Sequence, residues 1–599
     1  MASFTTRPVV MARKGVVTSG HYLASAAGFR ILEQGGNAID AAAAVCLCLN
    51  LLEPQSCGLG GEVPTLIYSA ADQQPYALSG MGWSPQDFTI DWCRTHGIDL
   101  IPGDGYLPAC VPSVVGSWAL ALARLGTMSF TQVLQPAIEL AEEGFALYPS
   151  LHQALTTGLT KYTDLYPTTG EVYCPGGRVP EIGEVIRNRD WAEVLKGMCR
   201  AEQEATGQGR IAGIEAAADY FYRGPVAERI VDFIRTNPVE DASGVAHTGL
   251  LSLADMADWQ PRLEPTVSYR YHGLDVHKCP SWTQGPVFLQ QLALLDGFDL
   301  AAMGHNSADY LHTLIECAKL AYADREAYYG DTLFDELPMD QLLAESYNTE
   351  RREQIGERAA MEVLPGNIGM GVPEYAARTV LEDNRRALDI AGRQVRDLGL
   401  GHAHVGDTTH LDVIDRWGNM VAATPSGGWL GSSPVIRGLG FPLGTRGQMF
   451  YLNAERPNAL EPHKRPRATL TPSLVTREGR PFMVFGTPGG DCQDQWTLQS
   501  FLNYVHFGMD LQEALDAPTV HSMHFPSSFY PREGFPGKMV AEGRIAASVL
   551  CELRTRGHEV EVVGDYVNGK TMAIRLDEER GVILGAVAPK GIIGYAIGW

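Results

Sequence analysis

The sequence predicts an α+β fold in which antiparallel sheets are covered by helices, and three stretches carry that expectation. Residues 38–52 are almost wholly apolar, so a helix there is buried on nearly all sides. Residues 307–329 place Tyr310, Leu314, Cys317, Leu320 and Ala321 at helical spacing. After Asp407 the pattern turns to short β runs about a turn cluster: Leu411 and Val413, then Asp415-Arg416-Trp417-Gly418-Asn419, then Met420 to Ala423. Helices and hairpins of this kind bury their apolar faces by stacking in layers.

The first 75 residues read strand, helix, helix, strand, beginning with the β run Gly15-Val16-Val17-Thr18. Residues 23–33 are Ala-rich and helical, and Gly35-Gly36 ends that helix because glycine tolerates positive φ. Asn37 then caps the 38–52 helix, with Asp40 at the capping-box position. Further helices are expected at 113–125, 130–143, 226–236 (after Pro225) and 493–507. A second hairpin is expected about Glu478-Gly479, from strands at 473–476 and 482–485, with later strands at 558–563 and 572–576. Residues 362–407 are rich in Gly, Pro and charge, with one helix near 375–393, and read as an exposed connector.

The chain has 599 residues, is 45% hydrophobic and 20% charged, and so suits a packed globular protein. A formal charge of -23 speaks against non-specific nucleic-acid or anionic-membrane binding, both of which need clustered Lys/Arg. No run reaches the ~18 apolar residues of a membrane span, and the first fifteen residues do not read as a secretory signal. The eleven cysteines are scattered, without CxxC or a framework spacing, which favours reduced thiols and a cytoplasmic location.

Asp407-Thr408-Thr409-His410-Leu411 is the most informative point for chemistry. A chain cut before Thr408 gives that residue a free α-amine beside its own hydroxyl, a general base and a nucleophile together. Gly427-Gly428 and Gly486-Thr487-Pro488-Gly489-Gly490 stand at strand ends. Paired glycines there serve either as tight turns or as two N–H donors aimed at an oxyanion. Gly58-Leu59-Gly60-Gly61 lacks the βα context and downstream acid of a dinucleotide site. His402, His404 and His410 match no zinc spacing and read as solvated connector histidines, so no metal is assigned. No GxSxG elbow occurs.

Taken together the motifs resemble the γ-glutamyltranspeptidase family along most of the chain. They are Gly35-Gly36-Asn37-Ala38-Ile39-Asp40 with Glu53-Pro54-Gln55-Ser56-Cys57-Gly58-Leu59-Gly60-Gly61; Ala321-Tyr322-Ala323-Asp324-Arg325 with Gly330-Asp331; Thr408-Thr409-His410 with Gly418-Asn419; Lys464-Arg465-Pro466; Gly486-Thr487-Pro488-Gly489-Gly490; and Pro589-Lys590. The resemblance implies a four-layer αββα sandwich of the N-terminal-nucleophile hydrolase type, made as an inactive precursor. Cleavage between Asp407 and Thr408 would leave a large subunit, 1–407, and a small one, 408–599, folded as one domain. Thr408 would be the nucleophile, with Thr424 and Ser426 the hydroxyls beside it and Gly489 and Gly490 the oxyanion hole. The substrate would be a small-molecule amide, and no cofactor is implied.

Where the family carries an arginine for the γ-glutamyl α-carboxylate, this sequence has Met81; where it carries the aspartate for the α-amine, it has Met449. Ala468 and Thr469 replace two serines, and Gly428 an asparagine. Losing one partner of a buried charge pair costs on the order of 2–5 kcal/mol, so a zwitterionic head would be poorly held. Arg446 offers a new cation, either for a substrate acid or for a surface ion pair, and Gln448 and Thr469 are further candidate substrate contacts. The pattern is like the acylase and amidohydrolase branches of the family. The alternatives are a glutathione hydrolase or γ-glutamyltransferase proper, and an unprocessed relative without catalysis.

Overall fold

The computed structural model describes residues 4–376 and 408–599. Two seven-stranded antiparallel sheets stack face to face with helices on both outer sides, giving four layers. The front sheet runs Ala596–Gly598, Gly15–Ser19, Leu411–Asp415, Met420–Ala423, Thr65–Ser69, Gln74–Leu78 and Leu263–Glu264. The back sheet runs Val10–Ala12, Val582–Val587, Met572–Asp577, Arg480–Gly486, Ser473–Arg477, Leu274–Lys278 and Val267–Tyr271. Each sheet draws strands from both sides of Thr408.

Alternation along the strands assigns the faces. In Leu411–Asp415 the side chains of Leu411 and Val413 join the outer core under the front helices, while Ile414 lies between the sheets with Met420, Ala422 and Val484. The front layer includes Tyr22–Glu33 and Ala38–Leu52, every residue of the latter buried as its apolar run requires. Its N-terminus carries the Asn37/Asp40 capping box. The same carboxylate also accepts from the Thr127 and Met128 amides, tying the cap to the next connection. The back layer is formed by Gly285–Leu295, Ala308–Tyr328 and Gln493–Phe507.

The expected helices appear within a residue or two, as Val114–Leu125, Phe130–Glu143, Pro225–Thr236, Ala308–Tyr328 and Gln493–Phe507. Both expected hairpins form, the second with a register shift at Val475/Thr476. Residues 559–563 form a strand, but in a separate three-stranded sheet. Helices at Pro149–Thr160, Arg189–Ala205 and Arg210–Tyr222 were not anticipated. Charged and polar residues interrupt the apolar positions of Arg189–Ala205, and Ala, Gly and Thr dilute them in the other two, which thins the repeat that marks a helix. The 362–376 part of the connector mixes exposed positions with buried Val363, Ile368 and Tyr375. The helix near 375–393 lies almost wholly outside the described residues, as do His402, His404 and Asp407. All eleven cysteines are free thiols. Among the described residues no helix is long and apolar enough to cross a membrane.

Candidate active site

Thr408 sits at the head of the front-sheet hairpin, in an antiparallel bridge with Ser426. Three residues on, Leu411 begins its ladder with Ala423 and faces the outer core, so Thr408, His410 and Asp412 share the opposite face, turned between the sheets, with Thr424 and Ser426. Thr408 Oγ1 and Ser426 Oγ are 3.1 Å apart, and both residues are buried. Ser426 Oγ accepts from Arg446 Nη2 at 2.8 Å, and Arg446 Nε donates to Glu62 at 2.6 Å. The cation is therefore buried in an ion pair, neither free for a substrate acid nor at the surface. Burial pushes the Glu62 carboxyl above its usual range, and the Arg446 guanidinium opposes that.

The glycine motif after the buried helix explains how Glu62 gets there. Gly61 packs so tightly on the Ser426 carbonyl that any side chain would collide with it, and the Glu62 amide donates to that same carbonyl at 2.9 Å. Gly427, at φ 70, leaves room for the Glu62 carboxylate. Gly428, at φ 61, packs against Gly60 and Gly61, so the pair lets two backbone segments approach closely.

Thr424 points elsewhere. Its Oγ1 lies 2.9 Å from His410 Nδ1, His410 Nε2 lies 2.9 Å from Asp412, and Thr18 donates to the other Asp412 oxygen at 3.1 Å. All four residues are fully buried, which corrects the reading of His410 as a solvated histidine. A carboxylate only accepts, so His410 Nε2 donates to Asp412, while Nδ1 faces the Thr424 hydroxyl. Burial raises the Asp412 carboxyl, countered by His410. Asp412→Ala leaves the imidazole N–H without its acceptor, and a loss of about 1–3 kcal/mol is expected in urea denaturation.

Gly489 and Gly490 form the turn that enters the Gln493–Phe507 helix, with φ of 129° and 55°. Substitution at either is strained by conformation alone. The turn is braced from behind by Ala308–Tyr328. Arg325 pairs with Asp491 and Glu326, donates to Gln284 Oε1 at 2.8 Å, and Gln284 Nε2 reaches the Gly490 carbonyl at 3.4 Å. The Ala321-to-Arg325 motif acts here, a role its sequence alone did not disclose. Asp491 also accepts from the Ser528 amide at 2.8 Å and hydroxyl at 2.6 Å.

Burial alone would raise Glu326, but Arg325 and Arg467 pull it down to about 2. A depressed carboxylate contributes stability that is present above its unfolded pKa and lost as pH falls toward the folded one. The melting temperature is therefore expected to drop between about pH 4.5 and pH 2, from a contribution on the order of 3 kcal/mol. Glu326→Gln should be less stable at pH 7 yet show a flatter acid limb in calorimetry.

Of the other candidates, Gln448 is engaged within the fold. Its Nε2 donates to the Gly103 carbonyl and to Thr445, and its Oε1 accepts from the Tyr530 amide at 3.0 Å. Thr469 is buried, and its hydroxyl has no hydrogen-bond partner among the described residues. Met81 is buried in the core between the sheets, and Met449 lies against Arg446, Nη1 to Sδ 3.8 Å. A cavity of about 160 Å³ opens at Thr408 and Thr409, lined also by Glu53, Gln55, Pro488 and Lys570. A wider cleft of about 400 Å³ at Arg416 and Trp417 holds none of the predicted site residues.

His312, Glu316 and His558 come close enough together to suggest metal ligands. Glu316, however, already pairs with Lys319 at 2.6 Å and accepts from the Ala360 amide, and His312 Nδ1 lies 2.8 Å from His558 Nε2. An ammonium against the only carboxylate opposes a dication, so the cluster fits a hydrogen-bonded brace.

The four layers are those of an N-terminal-nucleophile hydrolase, an enzyme of the amidohydrolase and acyltransferase type. The chain belongs to the γ-glutamyltranspeptidase family, whose pattern matches residues 24–596. It is 31% identical to the glutathione hydrolase-like YwrD proenzyme of Bacillus subtilis (strain 168), over 98% of this chain and 99% of that one. Among solved structures it is similar to LmbA2991HD, with 42% identity, TM-score 0.91 and all of both chains covered. It is also similar to the cephalosporin acylase of Bacillus halodurans, with 28% identity, TM-score 0.82, all of this chain and 98% of that one.

Proposed function

We propose that this protein is an autoprocessed N-terminal-threonine amidohydrolase acting on a small amide without a γ-glutamyl head. The carrying observation is the 3.1 Å contact between Thr408 Oγ1 and Ser426 Oγ, backed by the buried Arg446–Glu62 pair. In the precursor, Thr408 Oγ1 attacks the Asp407 carbonyl, the C–N bond breaks, and the nitrogen takes the proton. Water then hydrolyses the ester and frees residues 1–407 from 408–599, which stay together because both sheets share their strands. In turnover the α-amine takes the hydroxyl proton while Oγ1 attacks the substrate amide, and the Gly489 and Gly490 N–H groups donate to the oxyanion. The α-ammonium returns the proton to the departing amine, and water cleaves the acyl-enzyme.

The substrate half of the reading rests on charge. Met81 and Met449 carry none, and Arg446 is already neutralised by Glu62. An α-amino acid head would be desolvated without counter-charges. Terminal sequencing should place Thr408 at the start of the small chain. A panel of γ-glutamyl, glutaryl, oxamoyl and aminoacyl amides should then show γ-glutamyl turnover well below the best substrate. The reverse order favours the second reading, a glutathione hydrolase, which the description of the YwrD relative supports.

A further inference from the structure

We infer that Phe529 walls the acyl pocket and restricts it to short, uncharged acyl groups; the inference rests on Thr408 being the nucleophile. Residues 525–537 form a loop that is fastened on both sides of this one ring. On one side Ser528 binds Asp491 through its amide and hydroxyl, at 2.8 and 2.6 Å. Asp491 directly follows Gly490, so the loop is tied to the turn that carries the oxyanion donors. On the other side the Tyr530 amide donates to Gln448 Oε1 at 3.0 Å, and Arg532 Nη2 donates to the Gln448 and Phe450 carbonyls at 2.8 and 2.7 Å. Gln448 and Phe450 flank Met449, next to the Arg446 turn.

Between these fastenings the Phe529 ring lies against Gly490, where an added methyl would come 3.0 Å from Cε2. Its centroid is 5.6 Å from Arg446 Cζ, and the Trp429 ring stands 5.5 Å from that same carbon, within cation–π range. Arg446 in turn touches Ser426, and Ser426 touches Thr408. The ring therefore spans the gap between the oxyanion turn and the side chains that meet the nucleophile. Ser528 and Arg532 are buried, whereas Phe529 keeps part of its surface open, as a wall facing a substrate would. On this inference an acyl group with its carbonyl on Thr408 and its oxygen toward Gly489 and Gly490 runs along Phe529, Trp429 and Met449. These three side chains are apolar, and the Arg446 charge beside them is cancelled by Glu62; Glu53 and Lys570 line the separate opening at Thr408 and Thr409. A charged tail would lose its hydration there without a partner.

The test uses the processed two-chain enzyme, with its Thr408 terminus first verified by sequencing. Acetyl, butyryl, phenylacetyl and glutaryl p-nitrophenyl esters are compared for wild type, Phe529→Ala and Phe529→Leu. Wild type should prefer butyryl to both phenylacetyl and glutaryl. Phe529→Ala should raise the phenylacetyl-to-acetyl ratio of kcat/KM at least tenfold, mostly through KM, with Phe529→Leu intermediate and glutaryl still poor. Ratios within twofold of wild type in both variants would overturn the inference, and so would failure of both variants to be processed, which would make the ring a folding element. A glutaryl preference in wild type would overturn the charge half. A small chain that does not begin at Thr408 would instead bring down the proposed mechanism, and this inference with it.

Discussion

Thr408→Ala is expected to remain a single 65.1 kDa chain on a denaturing gel and to lose turnover by at least ~10³-fold. The alanine removes the one oxygen asked to attack both the Asp407 carbonyl and the substrate. Without the first attack no α-amine is exposed, so base and nucleophile disappear together. The variant should nevertheless fold, because a methyl in place of a threonine side chain removes little apolar contact and the Ser426 hydroxyl keeps its Arg446 donor. Thr408→Ser, which keeps the hydroxyl, is expected to process and turn over more slowly. A Thr408→Ala protein that splits at the same bond or retains activity would refute the mechanism.

Arg325→Leu should be the most damaging change away from the nucleophile, on the order of 3–5 kcal/mol in denaturant unfolding. The guanidinium is fully buried against two carboxylates, Glu326 and Asp491. Both sit below their usual range because Arg325 and Arg467 outweigh the effect of burial. Removing Arg325 leaves two buried anions sharing Arg467, which also donates to Ser528 at 3.0 Å. The same change frees the Asp491 end of the Gly489–Gly490 turn, so kcat should fall beyond what instability accounts for. Arg325→Lys should recover little, since one ammonium cannot match a fork that also reaches Gln284 and the Pro526 carbonyl. A loss under 1 kcal/mol for Arg325→Leu would show that Arg467 alone carries the pair.

The local signals in the sequence were strong where one chain segment decides its own conformation. The apolar run of Ala38–Leu52, its Asn37/Asp40 cap and the 411–423 hairpin all formed as read, because capping, periodicity and turn chemistry act over a few residues. The order of the motifs along the chain pointed to Thr408, Ser426 and the Gly489–Gly490 pair, of which the structure brings Thr408 and Ser426 into contact. The partners were not. Glu62 meets Arg446 from 384 positions away, Arg325 meets Asp491 from 166, and Phe529 reaches Gly490 from a loop with no sequence signature. His410 looked like one of three connector histidines, yet the strand's alternation turns it between the sheets onto Asp412. Sequence by itself thus determined the layers, the family and the order of the chemical groups, which are properties of neighbours along the chain. Tertiary structure alone decided which charges cancel and which side chains wall the site. Burial makes an unpaired group costly, and only the packed sheets determine which distant group is near enough to pair with it.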